Sequence, residues 1–378
     1  MKSIKHIILA LAASLLVFSC EKQQTPESGQ TNWPVFLGYM QFSTNVATKA
    51  ALATDMHEKN FGVMGYRYSS TTNWSAAKAL AIPNAFYNLK VNCNSSGICT
   101  YDLNAETAEK ELKAWAKDSL YSFFAYHPYE GYGNGITLSS ESLVNTPMLT
   151  FKYPWLGNTT VPIYYTEFKG MYDLMTAEAI DLDGSGNVNL DFKHQLFAVE
   201  VLVNNYNENS EGTYDARRKI SDMRVTVEGL ANSSITVPLS TLNGEKVTTD
   251  NIGISDAITF QIQDEQVEIP AFNETITDED GSVRGRGVAT SISKLGTKSK
   301  NKGYLMLIPQ NDDLNFKVVW TDPDISDFAS IKNTLNSTME FKAGKLYQII
   351  INYVGSGITI AIIEAGSWDI NDVYHTFE

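Results

Sequence analysis

Between Val188 and Val203 the chain alternates with a period of two, and that alternation sets the class of fold open to it. Val188, Leu190, Phe192, His194, Leu196 and Ala198 fall on one face of an extended segment, opposite Asn189, Asp191, Lys193 and Gln195. Successive side chains of a strand point to opposite sides of its sheet, so one face is buried and the other solvated. From Phe197 onward both faces are apolar, which predicts a strand running from a solvated sheet edge into a fully covered centre.

The same signal recurs along the chain. Val35 to Val46 places Phe36, Met40, Phe42, Thr44 and Val46 on one side. Phe61 to Tyr66 reads as another strand, and Phe123 to Tyr126 as an apolar strand closed by His127-Pro128. In the second half, Met223 to Val227, Ile235 to Leu239, Ile258 to Ile262, Tyr304 to Ile308, Phe316 to Trp320, Leu346 to Val354 and Ile358 to Ile363 all have strand character. The stretch from Ala105 to Lys117 carries helical spacing, with Leu112 and Trp115 for burial and Glu106, Glu109 and Glu111 outward. Thr277 to Lys302 is charged and Gly-rich and reads as a long loop. Short strands between turn clusters point to an all-β chain built of sandwiches, with one short helix in the first half. The chain is too long for one small core. The polar run from Asn204 to Arg218 divides it into domains expected at 35–212 and 213–378.

Lys2 and Lys5 precede an apolar run from Ile7 to Phe18, too short for a mature membrane span and of signal-peptide length. Val17-Phe18-Ser19-Cys20 resembles a lipobox, which makes residues 1–20 a lipoprotein signal peptide and Cys20 the lipidated residue. Residues 21–34 are polar and read as a tether. In the exported setting this implies, Cys93 and Cys99 flank the turn residues Asn94-Ser95-Ser96-Gly97 and are expected to form a disulfide across a hairpin.

The formal net charge of −14 repels phosphate backbones, so nucleic acid is an unexpected partner. Motifs of catalysis are missing: there is no HExxH spacing, no G-x-S-x-G elbow and no Gly-rich phosphate loop. No enzymatic role and no cofactor are expected. Asp181, Asp183 and Ser185 sit at the spacing of a calcium loop, but Phe192 stands where its bidentate Glu belongs, so a hairpin turn is the expected structure. His194 faces the apolar stripe and is expected to be a hydrogen-bonded core histidine.

Several blocks together resemble one family. These are Ala47-Thr48-Lys49-Ala50 after the first strand, Phe61-Gly62-Val63, Phe123-Phe124-Ala125-Tyr126-His127-Pro128 and Asp173-Leu174-Met175-Thr176-Ala177 before Val188-x-Leu-x-Phe-x-His194. Leu307-Ile308-Pro309-Gln310, Phe341-x-Ala343-Gly344-x-x-Tyr347 and Trp368 follow in order. The chain resembles the fimbrillins, subunits of Bacteroidales type V pili. The resemblance implies two tandem transthyretin-like β-sandwich domains, an outer-membrane lipoprotein displayed at the cell surface, and other pilin subunits as partners, with a host surface protein or glycan as a further partner class. It also implies removal of the N-terminal segment by a trypsin-like protease. The matching basic residue is Lys49, before Ala50, and the displaced strand would carry Phe36, Met40, Phe42 and Val46. The alternative is a first strand that stays in its sheet. A donor strand for the next subunit would come from Ile358, Ile360 and Ile362 or from Trp368 and Ile370. A different class remains open: a monomeric surface lipoprotein whose Trp33, Trp74 and Trp155 stack on glycans.

Overall fold

The computed structural model describes residues 36–46, 56, 59–78, 83–101, 114–129, 136–138, 148–152, 164–165, 173–184, 186–206, 217–230, 234–239, 247–250, 258–263, 266–271, 276–277, 283–284, 290–291, 305–311, 313–321, 333–337, 340–354 and 357–367. The described residues are overwhelmingly β-strand. One helix, Trp74–Ala77, occurs among them, capped by the Asn73 side chain, which accepts from the Ala76 N–H.

In the first half seven strands close on themselves. Their order is Met175–Leu182, Val188–His194, Phe42–Val46, Cys99–Tyr101, Phe86–Cys93, Asn60–Ser69 and Ser119–His127, which pairs back to Met175–Leu182. The interior is filled by the inward face of each strand, with Phe61, Val63, Val91, Phe123, Ala125, Val188, Leu190 and Phe192 buried. Alternation is cleanest in Val188–His194, where every second residue is buried. Asn60–Ser69 and Ser119–His127 are apolar on both faces because their outward residues, Met64, Tyr66, Phe124 and Tyr126, join a second core. Gly65 packs closely against the barrel core: a Cβ there would sit 2.8 Å from the Phe86 ring.

That second core lies between two sheets. In one, Phe197–Tyr206 runs parallel to Lys345–Val354, from Ala198 opposite Leu346 to Tyr206 opposite Val354, and Gly357–Ser367 forms the antiparallel edge. In the other, Arg218–Glu228 lies between Ile258–Gln263 and Leu314–Thr321. Phe197, Val199, Val225, Phe316, Trp320, Tyr347 and Ile349 are buried in this core. A four-stranded sheet joins segments from both halves of the sequence, in the order Thr248–Asp250, Ser234–Pro238, Met148–Lys152 and Ile136–Leu138.

Four expectations change in detail. The run from Val188 to Val203 is two strands, not one, because the chain leaves the barrel after His194. Gln195 turns back to hydrogen-bond the Leu174 carbonyl at 2.8 Å, and its side chain donates to the Thr176 hydroxyl at 2.8 Å. Where a helix is expected over Ala105 to Lys117, Ala114–Ala116 is a strand paired to Phe36–Tyr39, and residues 102–113 lie outside the described set. The run from Val35 to Val46 likewise divides, into Phe36–Tyr39 and Phe42–Val46. Within the loop expected over Thr277 to Lys302, Val283–Arg284 pairs with Ile276–Thr277, and Thr290–Ser291 pairs with Phe197–Tyr206. Phe197–Tyr206, which precedes residue 212 in sequence, also has Leu305–Leu307 and Lys345–Val354 as sheet partners.

Candidate functional site

Phe42–Val46 is short, yet it is the strand that completes the barrel. On one side it runs parallel to Val188–His194, in register from Phe42 opposite Val188 to Val46 opposite Phe192. The Gln41 carbonyl accepts the Val188 N–H at 2.8 Å, and the Ser43 hydroxyl bonds the Asn189 side chain. On the other side it meets Cys99–Tyr101 at one position, Phe42 opposite Cys99. Thr44 Oγ1 lies 3.7 Å from Cys99 Sγ. Without this strand, two rims would face each other across an open groove.

Met40 and Phe42 point inward and are 3% and 4% exposed, as their alternation requires, whereas Gln41 between them is exposed. The Phe42 ring is surrounded by four others. Its centroid lies 5.8 Å from Phe123, 5.9 Å from Phe86, 6.1 Å from Phe61 and 6.3 Å from Tyr101, mostly edge to face. Such pairs contribute about 0.5–1.5 kcal/mol each beyond the area they bury. Phe61 and Phe123 come from recognised strands. Phe86 and Tyr101 were not legible as part of this cage, because the alternation in Phe86–Cys93 is broken near Asn88, which adopts φ +46°.

The narrow rim is fixed covalently. Cys93 and Cys99 are disulfide-bonded and stand opposite each other in the hairpin. The turn between them is tied by the Asn94 side chain, which accepts from the Ser96 and Ile98 N–H groups, and Gly97 takes φ +76°.

At the end of Val188–His194, His194 is 5% exposed and its Nδ1 lies 2.7 Å from Asp173 Oδ1, the core role expected of it. His127 Nδ1 lies 2.6 Å from the Asn60 carbonyl, and burial pushes its pKa below the ordinary imidazole value.

Asp181, the first residue of the calcium-like spacing, has φ +57°, and its Oδ1 accepts from the Tyr68 hydroxyl at 2.6 Å and the Trp74 N–H at 2.7 Å. This carboxylate oxygen ties the end of Met175–Leu182 to the strand Asn60–Ser69 and to the start of the helix Trp74–Ala77. Asp183 is exposed and Ser185 lies outside the described residues. Among the described residues no group of three or more His, Cys, Asp or Glu is arranged to hold a metal. Trp74, expected as a sugar-stacking surface residue, is fully buried against Tyr66, Tyr68 and Phe124. Trp33 and Trp155 lie outside the described residues, as do Cys20, Lys49, Ala50, Trp368 and Ile370. Phe36, Val46 and Ile358 are strand residues. Ile360 and Ile362 are half-buried in the edge strand Gly357–Ser367 and pack on the larger core. No helix among the described residues is long and apolar enough to cross a membrane.

The family described as fimbrillin-like matches residues 48–368, most of the chain. The chain belongs to the fimbrillin-like family. The match begins two residues beyond Phe42–Val46, so the closing strand lies ahead of it. This fimbrillin-like chain is similar in fold to a fimbrial protein from Bacteroides vulgatus, at 18% identity and TM-score 0.51, over 87% of this chain and 99% of that one. It is also similar to a protein from Bacteroides ovatus described as a candidate in cell adhesion, at 15% identity and TM-score 0.51, over 89% of this chain and all of that one. No curated protein matches it.

Proposed function

We propose that this fimbrillin-like protein is a structural subunit of a cell-surface fimbria that serves adhesion and polymerises by strand exchange, without catalysis. In this reading it is exported as a lipoprotein through Cys20 to the outer membrane and folds with its first strand in place. A cut between Lys49 and Ala50 then releases the segment carrying Phe36, Met40, Phe42 and Val46. A strand from a neighbouring subunit fills the groove, and the C-terminal stretch from Ile358 to Ile370 is the source of the strand passed on. The division into two tandem sandwiches belongs to the same reading. The pairing of Phe197–Tyr206 with Lys345–Val354 argues for a boundary nearer Gln195 than residue 212.

The observation that carries this reading is the position of Phe42–Val46. It is the N-terminal strand of the barrel, it closes it, and it joins one rim at a single residue pair. An extended segment that adds to an exposed sheet edge gains main-chain hydrogen bonds, while side-chain pockets supply selectivity. A strand held this way leaves behind a groove already shaped for another.

Intact mass and N-terminal sequencing of the protein recovered from its native outer membrane test the reading. A new N-terminus at Ala50, with multimers that survive mild heating in detergent, is the expected result. A lipidated Cys20 terminus on a protein that stays monomeric would refute polymerisation.

A further inference from the structure

We infer that the groove under Phe42–Val46 contains one aromatic-selective pocket, at the Phe42 position, which decides which incoming strand is accepted. The inference rests on the strand-exchange reading and adds to it the chemistry of the partner: an extended segment of a neighbouring subunit, parallel to Val188–His194, with an aromatic ring at this one position.

Three observations converge there. First, Phe42 is the residue at which both rims pair, opposite Val188 on one side and Cys99 on the other. A strand entering the groove is therefore fixed in register at this point, since a slip of one residue would turn its apolar face outward. Second, the walls of the pocket are rings. Phe61, Phe86, Tyr101 and Phe123 are all buried, with centroids 5.8–6.3 Å from that of Phe42. An aliphatic side chain fills part of that space but cannot present a ring edge to a ring face. Third, the walls are held from behind. A Cβ on Gly65 would lie 2.8 Å from the Phe86 ring and 3.1 Å from the Phe123 ring, so these two walls are packed closely onto the barrel backbone on that side. Thr44, two residues along the strand, is only half-buried.

The test uses the full chain with a specific protease site in place of Ala47-Thr48-Lys49-Ala50, cleaved after folding and freed of its N-terminal fragment. Fluorescein-labelled synthetic peptides with the sequence of residues 36–48 are then titrated onto it. Substitutions are made in the peptide alone, so the receiving fold is unaltered. The parent peptide is expected to bind. Phe42→Ala should weaken binding by about a hundredfold or more, and Phe42→Leu by about tenfold, as the cost of emptying or under-filling a large core site dictates. Thr44→Ala should change it by less than about threefold. Equal binding of the parent and the Phe42→Ala peptides would overturn the pocket while leaving strand exchange intact. Failure of every peptide, the parent included, would overturn the strand-exchange reading itself.

Discussion

Phe42 touches four rings from four different strands, so its contribution to the intact chain is far larger than that of an ordinary five-residue strand member. Phe42→Ala in the uncleaved protein should lower unfolding free energy by about 3–5 kcal/mol, measured by urea denaturation, with Phe42→Leu costing clearly less. A cost below about 1 kcal/mol would mean that the strand is not seated as described. His127 carries a second prediction. Burial lowers its folded pKa, opposed by the Asn60 carbonyl and the Asp173 carboxylate and aided by Lys59 and His194. The unfolded chain takes up a proton near pH 6.5 that the fold refuses, so stability is complete above that value and falls as pH drops below it. The slope is at most about 1.4 kcal/mol per pH unit for one proton. Thermal melts between pH 7.5 and 5 should show a shallower loss in His127→Gln than in the parent, and identical profiles would exclude His127 as the source. The inward direction of Met40 and Phe42 and the buried His194 were legible from alternation alone. Trp74 was not, because it follows Ser69 to Asn73, a polar turn-like run that gives no hint of the Tyr66 and Phe124 rings awaiting it.

The hairpin of Phe86–Cys93 and Cys99–Tyr101 is the element whose behaviour is easiest to perturb. Cys99–Tyr101 is three residues long and meets its second neighbour at one pair, so the disulfide to Cys93 supplies the anchorage that its length cannot. Closing so small a loop constrains the unfolded chain modestly, by about 2 kcal/mol. Reduction, or the pair of substitutions Cys93→Ser and Cys99→Ser, should shift the urea midpoint accordingly. If the groove is used as proposed, the same change should impair peptide capture by the cleaved form more than it impairs the uncleaved fold. Comparable losses in the two would remove any special role for the bond in shaping the rim. This staple was readable in the sequence because Asn, Ser and Gly between two cysteines specify a turn. The break at Gln195 was not, since the apolar pattern continues through the point where the chain changes sheets and only tertiary bonds to Leu174 and Thr176 end the strand. The helical spacing near Ala114 misled for a related reason: pairing with Phe36–Tyr39 overrides local propensity.

Across the whole molecule, the pairings that define the fold join residues far apart in sequence, Ser43 to Asn189 and Asn204 to Asn352 among them. The all-β class could be read from the sequence, but which strands lie side by side could not, because alternation reports a buried face and not its neighbour. The two hydrophobic cores predict a divided response. Amide exchange in the Phe42→Ala protein should accelerate in Asn60–Ser69 and Phe86–Cys93 while Phe197–Tyr206 and Lys345–Val354 keep their protection. Uniform acceleration would show that the cores unfold as one. The parallel run of Phe42–Val46 beside Val188–His194 has, lastly, a mechanical meaning. Tension applied to the leading end of the first strand, and resisted at the trailing end of the second, acts along both axes and strains every rung of the ladder together. An antiparallel neighbour pulled from the same two ends would peel open one rung at a time. This joint in the barrel wall is laid out to resist shear.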